Sequence, residues 1–273
     1  AMECAERGLI PDIDDGAPWL RFGDGPALLR ALDLIGAAEP GLGALLALGS
    51  RAAAAVVGGG SIDFAPQVKG LELPGYEPRT LQAMALGLAV NSRGADHNRS
   101  GAYEADLSGS VDRLHGGDPH VAAAVATEDR AAVMDSMILC KFLRGVFTDP
   151  FLEWAALLTS VTGWAVTAEE LQATASRIVL AKRAFNLREG ASAADDTLPT
   201  RMLTTPLQLP SGRSAALDAA GLQAMVDGYY AARGWDAGGR PSDDDLAGLL
   251  LDELDDLGGR AAARLAPAPS GIR

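Results

Sequence analysis

The chain has 273 residues, of which 48% are hydrophobic, 22% are charged and only 5% are aromatic. This composition is ordinary for one or two globular domains. The formal charge of −13 excludes long-range attraction to nucleic acid or anionic lipid, so we expect neither as a partner. The two cysteines are too few for a disulfide-rich scaffold or a self-contained four-cysteine metal site. No uncharged apolar run reaches about 18 residues, so we expect no membrane-spanning segment.

Apolar residues recur at helical spacing through the first half of the chain. They predict a helix over 26–35, a second apolar segment over 42–57 that three consecutive glycines end, and a third segment over 79–90. The proline and glycine content of 61–78 predicts an irregular loop between them. A dense polar block follows the third segment at 91–99.

The second half is predicted to hold longer helices. Thr167 and Glu170 form a capping box, with a hydroxyl at the N-cap and a carboxylate three residues on, so a helix should follow and run to about Gly190. The segment 106–119 is loop-like. Further helices are predicted over 128–147, 151–163, 218–233 and 243–257, the last one capped by Ser242.

Strand alternation is scarce, so the sequence predicts an all-α fold of two helical lobes with no sheet larger than two short strands. We place one lobe at 1–120 and the other at 121–262, and we expect 263–273 to be a disordered tail. The first residues are typical of the end of a helix already under way, and not of a signal or transit peptide. The chain is therefore expected to be the C-terminal portion of a longer cytoplasmic protein, with its first lobe truncated at the N-terminus.

One histidine stands in a polar block whose residue types favour ligand binding and acid–base catalysis. His97 lies between Arg93 and Arg99, and two guanidinium groups near an imidazole suit the binding of a phosphate or a polar heterocycle. A histidine in this position can act as an acid or a base because its pKa lies near neutrality. The alternative is a salt-bridged loop, in which Asp96 and Glu104 pair with the two arginines.

The other two histidines carry no such signal. His115 and His120 flank two glycines and a proline. No second set of metal ligands stands beside them, so we expect both to be solvated loop residues.

A second candidate segment lies at 135–141, which reads DSMILCK. On one continuous helix, Asp135 and Cys140 would lie about 140° apart around the axis, so only a group wedged at the helix would meet both. Taken singly, Cys140 is typical of a small buried hydrophobic residue, and Asp135 of a surface carboxylate. The residues alone leave both interpretations open.

Together these segments resemble the aldehyde ferredoxin oxidoreductase family of tungsten–pterin enzymes. The resemblance covers nearly the whole chain and implies the helical C-terminal part of a longer enzyme. In that family an N-terminal β-rich domain grips two pterins that chelate one tungsten, or molybdenum in some relatives. The implied activity is oxidation of aldehydes to carboxylates, with electrons passing through a [4Fe–4S] cluster to ferredoxin. The blocks that carry the resemblance, in order, are AMECAERGLI, GLELPGYEPR, NSRGADH, DSMILCKF, RAFNLREG, DDTLP and YYAARGW.

The resemblance implies a role for most residues of the DSMILCK segment. Asp135 matches an aspartate that hydrogen-bonds a pterin, and Leu139 and Lys141 match residues that touch the pterin. Cys140 matches a ligand of the iron–sulfur cluster. The CxxCxxxC run that supplies the other three ligands in the family is absent from this chain. The motif's glycine is Ile138 here, a departure that leaves the carboxylate and the thiol in place.

The resemblance also implies roles for the polar block. His97 matches the family's active-site histidine, proposed to handle a proton near the metal, and Arg93 and Arg99 match basic positions that meet the pterin system. Asp96 stands where relatives often carry cysteine or another residue. A later block resembles a loop near the substrate passage, and its polar residues are candidates without an assigned role: Asn186, Arg188 and Glu189.

These matches lead to a prediction about geometry. His97 and Cys140 should face one concavity that opens toward the missing N-terminal pterin-binding domain, and part of this surface should be exposed and apolar. Cys4 has no motif around it and should be a small buried hydrophobic residue. A homodimer is one assembly that the resemblance allows.

Three alternatives stay open. The whole protein can act on another substrate, such as an aromatic acyl-thioester, as some family relatives do. The chain can be an inactive helical module that binds a partner chain carrying the other half of the site. It can also be an unrelated helical binding protein, which the ordered blocks disfavour. The substrate cavity decides the first alternative, and upstream sequence decides the second.

Overall fold

The computed structural model describes residues 1–10 and 20–249. Within them the strands form two antiparallel pairs, β1 (Gln67–Val68) with β2 (Leu71–Glu72) and β3 (Leu207–Gln208) with β4 (Ser214–Ala215). All other regular structure in these residues is helical, so the predicted all-α fold with only small sheets is confirmed. The helices are α1 Met2–Glu6, α2 Gly25–Gly36, α3 Leu42–Ala47, α4 Ser50–Val57, α5 Ser61–Phe64, α6 Gln82–Val90, α7 His97–Ser100, α8 Tyr103–Ser108, α9 Asp118–Ser136, α10 Pro150–Thr162, α11 Ala168–Arg188, α12 Thr200–Thr204, α13 Ala219–Arg233 and α14 Asp243–Ala247, with 3₁₀ turns at Pro78–Thr80, Lys141–Leu143 and Ala193–Asp195.

Local signals place several of these helices where the sequence predicts them. The capping box at the start of α11 is present, with the Thr167 hydroxyl accepting from the Glu170 N–H and the Glu170 carboxylate accepting from the Thr167 N–H. α10 ends at Gly163, whose φ of 76° suits a glycine. α13 begins after Asp218, whose carboxylate accepts the N–H of Gly221.

In the first half the structure refines one predicted segment, and two predicted loops are wrong in extent. The apolar segment 42–57 is two helices, because Gly49 turns the chain between α3 and α4 with a φ of 82°. The predicted loop over 61–78 contains α5 and the β1–β2 hairpin. The predicted loop over 106–119 begins inside α8 and ends inside α9.

The helix predicted over 128–147 is wrong at both ends. α9 begins at Asp118, next to Pro119, which suits a first helical turn. The helix stops at Ser136, and 137–140 is not helical. Cys140 therefore lies beyond the helix end, so the predicted offset of Asp135 and Cys140 around one axis does not apply.

The end of α9 is a Schellman motif. The Ile138 N–H donates to the Asp135 carbonyl at 3.2 Å, and the Leu139 N–H donates to the Met134 carbonyl at 2.8 Å. Ile138 has a φ of 58°, the left-handed conformation that such helix ends usually give to glycine. The position at which the family motif has glycine is thus the one at which the backbone turns out of the helix.

In the residues that the structure describes, the core consists of two hydrophobic clusters joined by α9. The larger contains α6, all of whose residues are buried, together with side chains from α8, α13 and the first half of α9. The smaller surrounds Trp154 on α10 and includes Val133 and Met134 near the end of α9. The larger cluster takes residues from both sides of position 120, and the lobe boundary there stays a prediction.

The two histidines outside the polar block differ from each other. His115 is exposed and its Nδ1 lies 2.8 Å from the Asp112 carboxylate, as expected for a loop residue. The prediction for His120 is wrong, because His120 lies in α9 and is 2% exposed. Its Nε2 is 2.9 Å from the Asp112 carbonyl, so it acts as a packing residue that ties α9 to the loop before it.

The C-terminal predictions are described only in part. Ser242 caps α14, its hydroxyl accepting the N–H of Asp245. The rest of the helix predicted over 243–257, and the tail at 263–273, lie outside the described residues. Among the residues that are described, no helix is long and apolar enough to cross a membrane.

Candidate functional site

His97 opens α7 at the end of the histidine loop, which we define as residues 91–96. Asp96 fixes this start because its carboxylate accepts the N–H groups of Asn98 at 2.9 Å and Arg99 at 3.3 Å. The imidazole lies between the rings of Tyr76 and Tyr103, with centroid distances of 5.5 and 5.8 Å. Within the described part of the chain neither ring nitrogen has a hydrogen-bond partner, so both are open to hydrogen bonds with a ligand.

Arg99 connects α7 to the end of α9. Its Nη1 lies 3.1 Å from Asp135 Oδ2, and the Lys141 ammonium lies 2.8 Å from Asp135 Oδ1. Lys141 also donates to the Ala131 carbonyl at 3.1 Å, which holds the 3₁₀ turn against α9. Both sequence motifs therefore meet at Asp135, although they are far apart in the chain.

Lys182 belongs with Arg99 and Lys141, and it was not identified from the sequence. It lies on α11, and its pKa is lowered first by burial and then by the positive charge of Arg99, with Lys141 adding to the effect. We call Arg99, Lys141 and Lys182 the cationic group. Asp135 pairs with Arg99 and Lys141, and Asp96 lies 3.9 Å from Arg99, so carboxylates balance part of the positive charge of this group. One signal was available: the chain has three lysines against twenty arginines, and Lys182 and Lys141 are two of those lysines.

Arg93 is more peripheral. Its side chain is 59% exposed, and its Nη2 lies 2.9 Å from Asp96 Oδ2. This is one ion pair of the salt-bridged alternative. The other half of that alternative is wrong, because Glu104 pairs with Arg144 at 3.1 Å and with Arg130 at 3.6 Å instead of with the arginines of the polar block.

Arg144 supplies a second connection between the two motifs. Its Nη2 donates to the Asn98 side-chain oxygen at 2.9 Å, and its Nη1 contacts the Tyr103 hydroxyl. Arg144 follows the 3₁₀ turn that begins after Cys140. The segment carrying the cysteine is therefore held against the helix carrying His97.

Cys140 and its neighbours form an exposed surface that we call the thiol face. Cys140 is a free, exposed cysteine, and the side chains of Ile138 and Phe142 are 92% and 97% exposed. Leu139 points the other way and packs with Met134 in the smaller cluster. Cys4, in contrast, is 7% exposed, as predicted.

The polar residues after α11 have separate places. Asn186 donates from Nδ2 to the Ser92 carbonyl at 2.6 Å, so it holds the histidine loop. Arg188 and Glu189 pair with each other on the surface at 3.3 Å, and Arg188 lies over the Phe185 ring at 5.1 Å.

The donor set fits part of a pterin and metal centre. Asp135 Oδ2 is buried and pairs with Arg99 at 3.1 Å without an aligned hydrogen bond among the described residues, and the Asp135 side chain is 25% exposed, so the carboxylate keeps the capacity to accept from the N–H edge of a heterocycle. The cationic group suits an anionic ligand. The exposed thiol of Cys140 supplies one soft ligand. In the described residues no three His, Cys, Asp or Glu side chains are grouped to hold a metal ion.

Comparison with known proteins identifies the family. A family profile described as "Aldehyde ferredoxin oxidoreductase, domains 2 & 3" matches residues 1–251. The profile match, together with the helical fold, assigns the chain to the class of the helical domains of an oxidoreductase family. The chain belongs to the aldehyde ferredoxin oxidoreductase family.

Two relatives show the extent of the match. The tungsten-containing aldehyde ferredoxin oxidoreductase of Pyrococcus furiosus is 34% identical over 263 residues, which are 93% of this chain and 42% of that protein. The enzyme of the same description from Thermococcus kodakarensis is 33% identical over 249 residues, covering 88% of this chain and 39% of that protein. The chain thus spans less than half the length of these curated relatives.

A solved structure shares the fold. The active-site complex BamBC of benzoyl coenzyme A reductase, in complex with 1,5-dienoyl-CoA, aligns with a TM-score of 0.66 and covers 97% of this chain and 44% of its own. The sequence identity is 18%, so this likeness shows the arrangement of helices and does not specify a substrate.

Proposed function

We propose that this chain forms the helical half of an enzyme that oxidises aldehydes to carboxylates at a tungsten, or molybdenum, bis-pterin centre. The observation that carries the proposal is the meeting of two motifs at Asp135, where Arg99 and Lys141 contact one carboxylate and the exposed thiol of Cys140 follows directly. The proposal also rests on the family match over residues 1–251.

The cofactor-facing residues have distinct proposed tasks. Asp135 accepts from a pterin N–H, while Arg99, Lys141 and Lys182 balance the negative charge of the pterin and its dithiolene sulfurs. Arg93, which is 59% exposed and pairs with Asp96, adds positive charge at the rim of the site. Leu139 contributes through packing, since it fixes the backbone between Asp135 and Cys140.

His97 is the proposed proton-handling group. Oxidation of an aldehyde by water yields a carboxylate, two electrons and three protons, so a base beside the reacting carbon is useful. The unpartnered ring nitrogens of His97 suit this task, and the two tyrosine rings beside it limit the directions in which the imidazole can turn. When bound, the metal supplies the two-electron and oxygen chemistry, and the cluster passes electrons on to ferredoxin.

Cys140 is the proposed protein ligand that this chain gives to a [4Fe–4S] cluster. Iron–sulfur clusters require thiolates, usually four of them, and Cys140 is the exposed one of the two cysteines here. The remaining three ligands come, in this proposal, from the N-terminal pterin-binding domain. That domain also covers the thiol face, whose apolar side chains are exposed in this chain alone. The cytoplasm as the location, and a homodimer as the assembly, stay predictions.

Substitution of His97 in the whole protein tests this function. We expect His97→Gln to lower aldehyde-dependent ferredoxin reduction by about 10²–10⁴-fold, with the tungsten content unchanged. His115→Gln is the matched control, because His115 is exposed and lies in a loop. Equal turnover in both variants, or a loss that only follows the tungsten content, would argue against the proton role.

Two alternatives are decided by other observations on the whole protein. If the whole protein reduces an aromatic acyl-thioester and leaves aldehydes untouched, the cofactor site stands and the substrate assignment changes. If upstream sequence lacks a pterin-binding domain and the chain copurifies with a partner that carries one, the chain is a separate helical subunit.

A further inference from the structure

Lys69 occupies an unusual place in the β1–β2 hairpin. The two strands pair Val68 with Leu71, which leaves Lys69 and Gly70 as a two-residue turn. Both have positive φ, 52° and 90°, as a type I′ turn requires. Asparagine or glycine is the usual first residue of such a turn, so the turn itself does not explain a lysine.

The Lys69 ammonium group has three partners. It donates to the Ala89 carbonyl at 2.6 Å, to the Asn91 carbonyl at 2.9 Å and to Asp196 Oδ1 at 2.6 Å. The first two are carbonyls at the C-terminal end of α6, where a cation is favoured. All three donors of the ammonium are thus used, and its side chain is only 15% exposed.

Asp196 is the carboxylate that pairs with this ammonium group. Its carboxylate is fully buried and also receives Arg183 Nη1 at 2.7 Å and the Tyr230 hydroxyl. Arg183 in turn donates to the Gly239 carbonyl at 2.8 Å. Lys69 is therefore linked through Asp196 to side chains of α11 and α13, and it cannot shift without disturbing buried charges.

The histidine loop continues from this contact. The Asn91 side chain accepts the Arg93 N–H at 2.9 Å and donates to the Asp96 carbonyl at 3.0 Å. Gly94 lies against the hairpin so closely that a Cβ there would come within 2.1 Å of the Val68 carbonyl oxygen. The hairpin thus supports both the beginning and the middle of the loop that leads into His97.

We propose that Lys69 is a positioning residue: its ammonium fixes the Asn91 carbonyl against the buried Asp196, and this contact sets the place of His97. This inference rests on the proposed function for the role of His97, but the positioning itself does not depend on which reaction occurs. It explains why a lysine stands in a turn that favours other residues.

Two substitutions separate the ammonium from the turn. Lys69→Met keeps most of the side-chain volume and removes all three donors, whereas Lys69→Gly suits the turn better and also removes them. Arg233→Met is the control, because Arg233 is an equally buried cation that pairs with Glu128 and Asp129 at 2.7 Å and contacts neither the hairpin nor the histidine loop.

The first measurement is hydrogen–deuterium exchange of residues 91–99 in the whole protein. We expect both Lys69 variants to exchange about tenfold faster in this segment than the wild type, while Arg233→Met leaves the segment unchanged at a similar loss of thermal stability. Protection of 91–99 that is unchanged in both Lys69 variants would overturn the inference. So would a Lys69→Gly variant that behaves like the wild type, because the residue would then serve the turn only.

The second measurement is turnover. Misplacement of His97 should lower kcat for the aldehyde by about 10²-fold with little change in KM, and Arg233→Met should keep the wild-type kcat. Faster exchange together with unchanged kcat would overturn the link from Lys69 to His97 chemistry. Faster exchange in a protein whose wild type oxidises no aldehyde leaves the positioning standing and refutes the proposed function alone.

Discussion

Ile138 offers a quantitative test of the reasoning about the end of α9. A left-handed conformation costs an ordinary residue about 1–2 kcal/mol, and a β-branched side chain with φ of 58° is at the unfavourable end of that range. Because Ile138 is 92% exposed, replacing it removes almost no buried apolar area. Glycine also loses about 0.5–1 kcal/mol through its greater freedom in the unfolded chain. Ile138→Gly should therefore stabilise this chain by about 1 kcal/mol.

The assay is thermal and urea unfolding of the 273-residue chain. For a protein of this size, 1 kcal/mol corresponds to a rise in Tm of about 2–4 °C. The end of α2 provides two controls. Ala38 has a φ of 48° and makes the same helix-ending hydrogen bond, from its N–H to the Ile35 carbonyl, so Ala38→Gly should give a smaller gain. Ala37 has a φ of −81°, so Ala37→Gly should lower stability.

The result that would refute this reasoning is an Ile138→Gly variant whose Tm falls as much as that of Ala37→Gly. The left-handed conformation would then not be the one that the chain adopts in solution. The geometry that places Asp135 in the last helical turn and Cys140 beyond it would lose its support.

Two further predictions concern charge. Burial and the positive charges of Arg99 and Lys141 lower the pKa of Lys182, so the folded state binds this proton less tightly than the unfolded state. The free energy of unfolding should therefore rise as pH increases from the lowered pKa toward 10.5. Lys182→Met should remove this rise, keep or increase stability at pH 7, and weaken cofactor retention. A fall in stability at pH 7, measured by urea unfolding, would contradict this. Burial alone raises the pKa of Glu77, but hydrogen bonds from Arg79 lower it overall. This stabilisation is present above pH 4.5 and is lost as pH falls through the lowered pKa of Glu77. Arg79→Met should therefore move the acid-unfolding midpoint to higher pH. An unchanged midpoint would count against the ion pair between Arg79 and Glu77.

Much of the fold could be predicted because its signals are local. The capping box of α11, the glycine that ends α10 and the apolar run of α6 each act within a few residues. The error at the end of α9 has a local cause. The sequence gives no local sign that α9 stops at Ser136, because Ile138 occupies the position where glycine would normally mark the end of a helix.

The candidate site could be predicted only where a motif carried it. His97, Arg99, Asp135 and Lys141 were found from two motifs, and the contacts at Asp135 bring three of them together. Lys69 and Lys182 were missed, because neither stands in a recognisable motif and the scarcity of lysine in the chain was the one signal that singled them out. Their importance depends on which helices pack together, and a single sequence does not specify that.

The central claim is that the thiol face belongs to a tungsten and iron–sulfur centre completed by the rest of a longer protein. The most direct test is the tungsten, molybdenum and iron content of the anaerobically purified whole protein, compared with its Cys140→Ala and Cys4→Ala variants. The account predicts tungsten or molybdenum and a [4Fe–4S] cluster in the wild type, loss of iron and of ferredoxin reduction in Cys140→Ala, and an unchanged cluster in Cys4→Ala, since Cys4 is buried. Unchanged iron and unchanged ferredoxin reduction in Cys140→Ala would contradict it.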